Sequence, residues 1–206
     1  MLAVSIFFSA CKKEEEDSIA APTVLSGCTD AIATNYDATA TSDDGSCTFG
    51  IVGGAWITNS EVVDMHVIVS MGGMVVMDTS LTETETNPDS MDVVKSKFWD
   101  NGDYKGWDSN NNLVDSGTWV QSGTTVTVTT DTTIVGEIIS VTKTNLVHTV
   151  EGNETFTEGG LDYDIDFVFT ASHTRDENGF TTNSTNQRKE NTSWINKRKL
   201  INNFKH

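Results

Sequence analysis

The sequence predicts an all-β fold, either a closed antiparallel barrel or an open sandwich. Three observations carry that expectation. Val and Ile fall in short alternating runs from residue 51 onward, Gly- and Asn-rich turn signals separate them, and no stretch sustains a helical period. Thr, Asn, Asp, Ser and Gly abound while only 2 prolines occur, a composition of exported β proteins rather than of helical enzymes. A length of 206 residues allows one main core with appendages. The 30 acidic against 13 basic residues leave a formal charge of −17, which repels polyphosphates, so nucleic acid is excluded as a partner.

From the N-terminus, residues 2–8 form an apolar stretch too brief to span a bilayer, followed by Ser9, Ala10 and Cys11. Phe8-Ser9-Ala10-Cys11 resembles the lipobox of bacterial lipoproteins, with Phe where Leu is usual. The resemblance implies that residues 1–10 are a signal peptide and that the Cys11 thiol carries a lipid. Since no Lys or Arg precedes the apolar run, the true start is expected upstream. Lys12-Lys13-Glu14-Glu15-Glu16-Asp17 cannot pack and should be a solvated tether, extending to residue 26. The run is also similar to the Lys-then-acidic signal that sends lipoproteins of the Bacteroidota to the outer leaflet of the outer membrane.

Outside the cytoplasm thiols oxidise, and with Cys11 lipidated, Cys28 and Cys47 remain as an even pair expected to bond to each other. A loop of this size gains about 3 kcal/mol in the chain-entropy picture, enough to order a segment almost without an apolar core. Zinc lacks neighbouring ligands, and the spacing does not suit a CxxC redox pair. Calcium stays open: Asp30, Asn35, Asp37, Asp43 and Asp44 offer hard oxygens, yet Asp-Asp-Gly-Ser is equally ordinary turn chemistry. Residues 27–48, with Gly27-Cys28-Thr29-Asp30, Asn35-Tyr36-Asp37 and Asp43-Asp44-Gly45-Ser46-Cys47, resemble a short disulfide module that recurs in surface and secreted proteins of the same bacteria. A stalk or spacer role suffices for it.

Beyond residue 51 the candidate strands are 55–58, 62–70, 74–78, 92–99, 104–107, 113–121, 124–130, 134–142, 146–150 and 163–171, spaced as an antiparallel meander. In Leu161-Asp162-Tyr163-Asp164-Ile165-Asp166-Phe167-Val168-Phe169 the alternation is clearest: Tyr163, Ile165, Phe167 and Phe169 share one face and the aspartates the other. Gly54-Ala55-Trp56, then Phe98-Trp99-Asp100-Asn101-Gly102-Asp103-Tyr104, then Ser116-Gly117-Thr118-Trp119, and a late Leu146-Val147 are similar to bacterial lipocalin-like domains over residues 51–175. The resemblance implies an up-and-down barrel with Trp56 plugging its closed end, Arg175 from the last strand stacked over Trp56, and Phe98, Trp119, Tyr163, Ile165, Phe167 and Phe169 lining the interior.

Other signals are weaker. Asp162, Asp164 and Asp166 imitate the start of an EF-hand, but Phe167 stands where Gly is required and His173 where the bidentate Glu should be. His66, His148 and His173 lie on separate strands, and no spacing links them as ligands. There is no nucleophile elbow, P-loop or HExxH. Residues 177–206, rich in Asn and Lys, are expected to be a disordered basic tail.

The expected function is that of a non-enzymatic, lipid-anchored protein of the outer membrane, facing the cell surface. Its barrel would take a small apolar or amphipathic molecule without a cofactor, calcium aside. The alternative is a structural or adhesive surface protein, its barrel packed shut by Trp99, Trp107, Trp119 and the Phe residues.

Overall fold

A computed structural model describes residues 23–86 and 93–176. Cys11, the signal segment, most of the tether and the 177–206 tail lie outside the described residues. Two short strands, β1 (Ser26–Gly27) and β2 (Ser42–Asp43), pair in parallel in the N-terminal module. The remaining strands are β3 (Ala55–Met71), β4 (Met74–Thr86), β5 (Lys95–Phe98), β6 (Asp103–Trp107), β7 (Leu113–Ser122), β8 (Thr125–Thr129), β9 (Thr133–Val141), β10 (Asn145–Glu158) and β11 (Leu161–Asp176). No helix occurs among the described residues.

Consecutive antiparallel pairing from β5 to β11, with β3 joined to both β5 and β11, closes an eight-stranded up-and-down barrel. Closure removes the exposed edges that an open sandwich would retain. The ninth strand, β4, pairs only with β3.

The two candidate strands 55–58 and 62–70 are one strand, β3. Asn59-Ser60-Glu61 interrupts the apolar alternation without ending the strand. There β3 exchanges one neighbour for another: Ala55, Trp56 and Ile57 pair with β5, while Ser60 to Met71 pair with β4. Close by, the β3–β11 register shifts at Ser172/His173, a β-bulge.

Long strands carry the sheet beyond the barrel. β10 pairs with β9 only from Leu146 to Thr149, yet its ladder with β11 runs on to Glu158. All of β4 and the outer halves of β3, β11 and β10 therefore form a four-stranded blade, roughly 35 Å long at about 3.3 Å per residue. The two regions have separate apolar clusters. Ile51, Trp56, Phe98, Tyr104, Val128 and Leu146 form that of the barrel. Met65, Val67, Val69 and Ile165 form that of the blade, with Phe156, Tyr163 and Phe167 packed around them. In the blade, a Cβ at Gly152 would come within 2.3 Å of the Phe167 ring, so the ring lies over a glycine on the neighbouring strand.

Cys28 and Cys47 are joined, with Cα atoms 4.8 Å apart. The module meets the barrel through Lys143, whose Nζ lies 2.9 Å from Asp30.

Candidate functional site

At the closed end of the barrel Trp56 is fully buried and donates its indole N–H to the Ile51 carbonyl at 2.7 Å. The Arg175 guanidinium lies 4.3 Å from the centre of the Trp56 ring. It donates to the carbonyls of Val52 at 2.8 Å and Gly50 at 2.6 Å. Gly54 makes room for this stack, because a Cβ there would approach Arg175 Cγ to 2.8 Å. A partly buried cation–π contact of this kind contributes roughly 1 kcal/mol. Tyr104, also buried, packs against Phe98 at 5.3 Å between ring centres, and Trp119 meets Phe98 edge-on at 5.4 Å.

Above that plug lies a cavity of about 680 Å³, counting its part open to solvent. Phe98, Val126, Val128, Ile134, Ile138 and Leu146 are among the apolar residues of its wall, and from the last strand Ala171 and His173 line it. This differs from the expected lining. Tyr163, Ile165 and Phe167 belong to the blade cluster, and Phe169 is buried beside the His148 ring at 6.4 Å. The apolar row of β11 continues into the barrel, but its first residues lie past the point where the other barrel strands have ended. Of the expected lining, Phe98 reaches the cavity, while Trp119 packs on Phe98 within the barrel cluster. Trp99 and Trp107 share the opposite face of their strands from the cavity-lining Ser96 and Phe98; Lys97 and Lys105 cover the Trp99 ring at 5.1 and 5.8 Å.

Polar residues interrupt the apolar wall: Glu61, Ser96 and Glu137 also line the cavity, and Thr58, His173 and His148 are linked to one another. Thr58 Oγ1 lies 3.1 Å from His173 Nδ1, and His173 Nε2 lies 3.0 Å from His148 Nδ1. The imidazole planes are within 8° of parallel, with centres 5.0 Å apart. Burial holds the His148 pKa down to about 4, and burial together with the neighbouring His148 holds that of His173 down to about 3. Both rings are neutral at physiological pH. A neutral pair bonded in this way has two consistent tautomer arrangements. If the Thr58 hydroxyl donates into the relay, His148 Nε2 carries a proton at the far end. If the relay runs the other way, Nε2 presents a lone pair.

Sequence spacing did not join these histidines, and the missing signal was register. The β10–β11 ladder runs unbroken from Glu158↔Leu161 at the turn to Leu146↔His173, which places His148 opposite Ala171 and diagonal to His173. Counting back from Gly159-Gly160 would have paired them. The third histidine, His66, sits on the outer face of the blade, with Nε2 2.8 Å from Asp78.

In the N-terminal module the candidate calcium ligands hold turns. Asp37 Oδ1 accepts from the Thr39 N–H at 2.8 Å, Asp43 from Gly45 at 3.0 Å and Asp44 from Ser46 at 3.0 Å. Asn35 bridges the Ser46 carbonyl and the Thr48 N–H. The hydrogen bonds from Lys143 to Asp30, Thr39 to Asp37 and Ser46 to Asp44 lower the pKa of those carboxyls. Among the described residues no three His, Cys, Asp or Glu side chains converge as a metal site.

No family profile matches the chain, and no curated protein matches it. Among solved structures, the crystal structure of the ywiB protein from Bacillus subtilis aligns with 8% identity over 55% of this chain and 92% of that chain, at a TM-score of 0.19. A likeness at that score carries no inference.

Proposed function

We propose that this protein is a lipid-anchored lipoprotein of the outer membrane whose lipocalin-like barrel binds a small apolar or amphipathic ligand. The cavity carries this reading. Its wall is mostly apolar with a small number of polar groups, which suits a ligand that is mostly hydrocarbon. The linked His148, His173 and Thr58 side chains give that wall a polar stretch beside the apolar residues. The Cys11 anchor rests on the lipobox resemblance, and the cell-surface reading on the similarity of Lys12-Lys13-Glu14-Glu15-Glu16-Asp17 to a Lys-then-acidic sorting signal. The reading requires no cofactor, and a charge of −17 argues against nucleic-acid partners.

Binding is favoured over catalysis on chemical grounds. A general base works best with a pKa near the operating pH, and histidines depressed to about 4 and 3 are weak bases at neutrality. The competing non-enzymatic reading, a structural or adhesive protein with a filled barrel, draws its support from the Trp56, Phe98 and Tyr104 plug, which occupies one end of the barrel.

Titration with N-phenyl-1-naphthylamine, a neutral apolar fluorophore, separates the two. Enhanced emission on wild type, reduced about tenfold in affinity by Ile138→Trp, which fills the void, supports the carrier. Equal behaviour of the two proteins, or no binding at all, favours the filled barrel. For the anchor, labelled palmitate should enter the full chain in a bacterial host and be absent from Cys11→Ala.

A further inference from the structure

The β3–β4 hairpin ends in Met71-Gly72-Gly73-Met74-Val75-Val76-Met77, seven residues without a charge in a chain of net charge −17. Met74 is 74% exposed, Val75 60%, Met71 58% and Val76 53%. Such exposure is unusual for consecutive large apolar residues, since scattered ones are the norm on a soluble surface. Register shows how they are arranged. Met74 lies opposite Met71, and Met77 opposite Val69, whereas Val75 lies opposite Ser70, with the extra residue of a bulge between them. Neighbouring residues of a strand face opposite sides of the sheet. The tip is therefore apolar on both faces, and on the Met77 side it is continuous with the Val69, Val67 and Met65 cluster.

We propose that this tip inserts into a zwitterionic lipid surface and sets the orientation of the barrel against the membrane. A flat protein surface laid on the sheet would cover one face of the strand and leave the other to water; hydrocarbon surrounds the tip from every side. The patch is also too small for a stable pairing of protein surfaces, which takes roughly 20–30 residues a side. Four residues of strand reach about 13 Å, enough to place the methionines at the headgroup–acyl boundary, where apolar side chains of peripheral proteins lodge. Their unbranched, polarizable thioethers adapt to a disordered medium. Charge selects the kind of lipid. Glu158 and Asp162 flank the neighbouring Gly159-Gly160 turn at the same end of the blade, Asp162 standing opposite Ser70, and Asp78 follows the tip on β4. These carboxylates repel anionic headgroups, so the surface entered should be zwitterionic and the blade should enter by its β4 edge. This insertion does not depend on lipidation of Cys11 or on a ligand in the cavity.

The test uses the full chain carrying Cys11→Ser, so that no acyl anchor contributes. Met74→Cys in that background is labelled with an environment-sensitive nitrobenzoxadiazole dye, with Thr155→Cys on the polar face of β10 as the control. With phosphatidylcholine vesicles the dye at position 74 should brighten about threefold and be quenched by spin-labelled lipid, while the control stays unchanged. Adding about a third of phosphatidylglycerol should weaken the response, and Met74→Asp with Val75→Asp should reduce the vesicle-bound fraction about tenfold with unchanged circular dichroism. A dye at position 74 that does not respond, or binding that survives both aspartates, overturns the proposal. Concentration-dependent dimers without vesicles, abolished by the aspartates, would overturn it in favour of a second copy of the chain.

Discussion

The barrel and the blade are made by the same strands and solve the burial of apolar surface differently. In the barrel every strand has two neighbours, and the inward side chains meet one another across an enclosed interior. Trp56, Phe98 and Tyr104 pack together at one end, and a cavity lies among the remaining inward side chains. In the blade the sheet has two free edges, β4 and the outer half of β10, and its apolar row gathers on one face. The opposite face carries hydrogen-bonded polar side chains: Asn153 donates to Asp164 at 2.7 Å and to Asp166 at 2.8 Å, and Thr157 donates to Asp162 at 2.7 Å. Closure thus does for the barrel what side-chain ladders and curvature must do for the blade. One strand such as β3 can belong to both because its partners change along its length.

The strongest way to break this comparison is to empty the plug. Trp56→Ala should cost about 3 to 5 kcal/mol, as large-to-small changes in a core do, and should unfold barrel and blade together in chemical denaturation. A loss below about 1 kcal/mol would contradict the burial of the indole. Ile165→Ala comes next. It empties the blade cluster and should cost about 2 to 3 kcal/mol, the low end for such changes, because a one-sided sheet can relax into the void. Native-state hydrogen exchange should show the loss confined to β4 and the outer halves of β3, β10 and β11, with the inner halves of those three still protected.

The histidine relay sharpens the contrast through pH. The folded-state values of His148 and His173 lie below the ordinary value of 6.5. The stability they contribute is therefore present above pH 6.5 and is lost as pH falls toward 4 and then 3. Between pH 6 and 5 each histidine should remove about 1.4 kcal/mol per pH unit, and His148→Phe should roughly halve the slope measured by urea denaturation. Asp115 works in the opposite sense: burial raises its carboxyl pKa, so the stability it contributes is present below the ordinary value of 3.8 and is lost as pH rises from there. The smallest effect is expected on the wet face of the blade, where Asp164→Ala should stay within about 0.5 kcal/mol by the same denaturation.

The legibility of the fold varied with the strength of alternation. β11 reads directly because its apolar and acidic residues alternate without a break over its first half. The outer part of β10 escaped because its inward positions are Gly152, Glu154 and Phe156, only one of them a large apolar side chain. The end of β4 escaped for the same reason, with Thr79, Leu81 and Glu83 facing β3. Each of these segments is a strand because a better strand lies beside it. The site was legible at its closed end, where Gly54, Trp56 and Arg175 belong to one short motif and its distant partner. It was not legible at the cavity, where Thr58, His148 and His173 come from three strands and meet only through register.

The sequence by itself determined the class of fold, the disulfide pair and the sidedness of the strands, because these follow from alternation, turn chemistry and the count of cysteines. Tertiary structure alone decided where the barrel ends and the blade begins. It also decided which apolar row faces a cavity, which packs on a sheet and which stands in solvent. The physical reason is that alternation states which side of a strand is apolar, while the identity of what covers that side depends on the partners to left and right. Those partners, for β3 and β10, change along the strand.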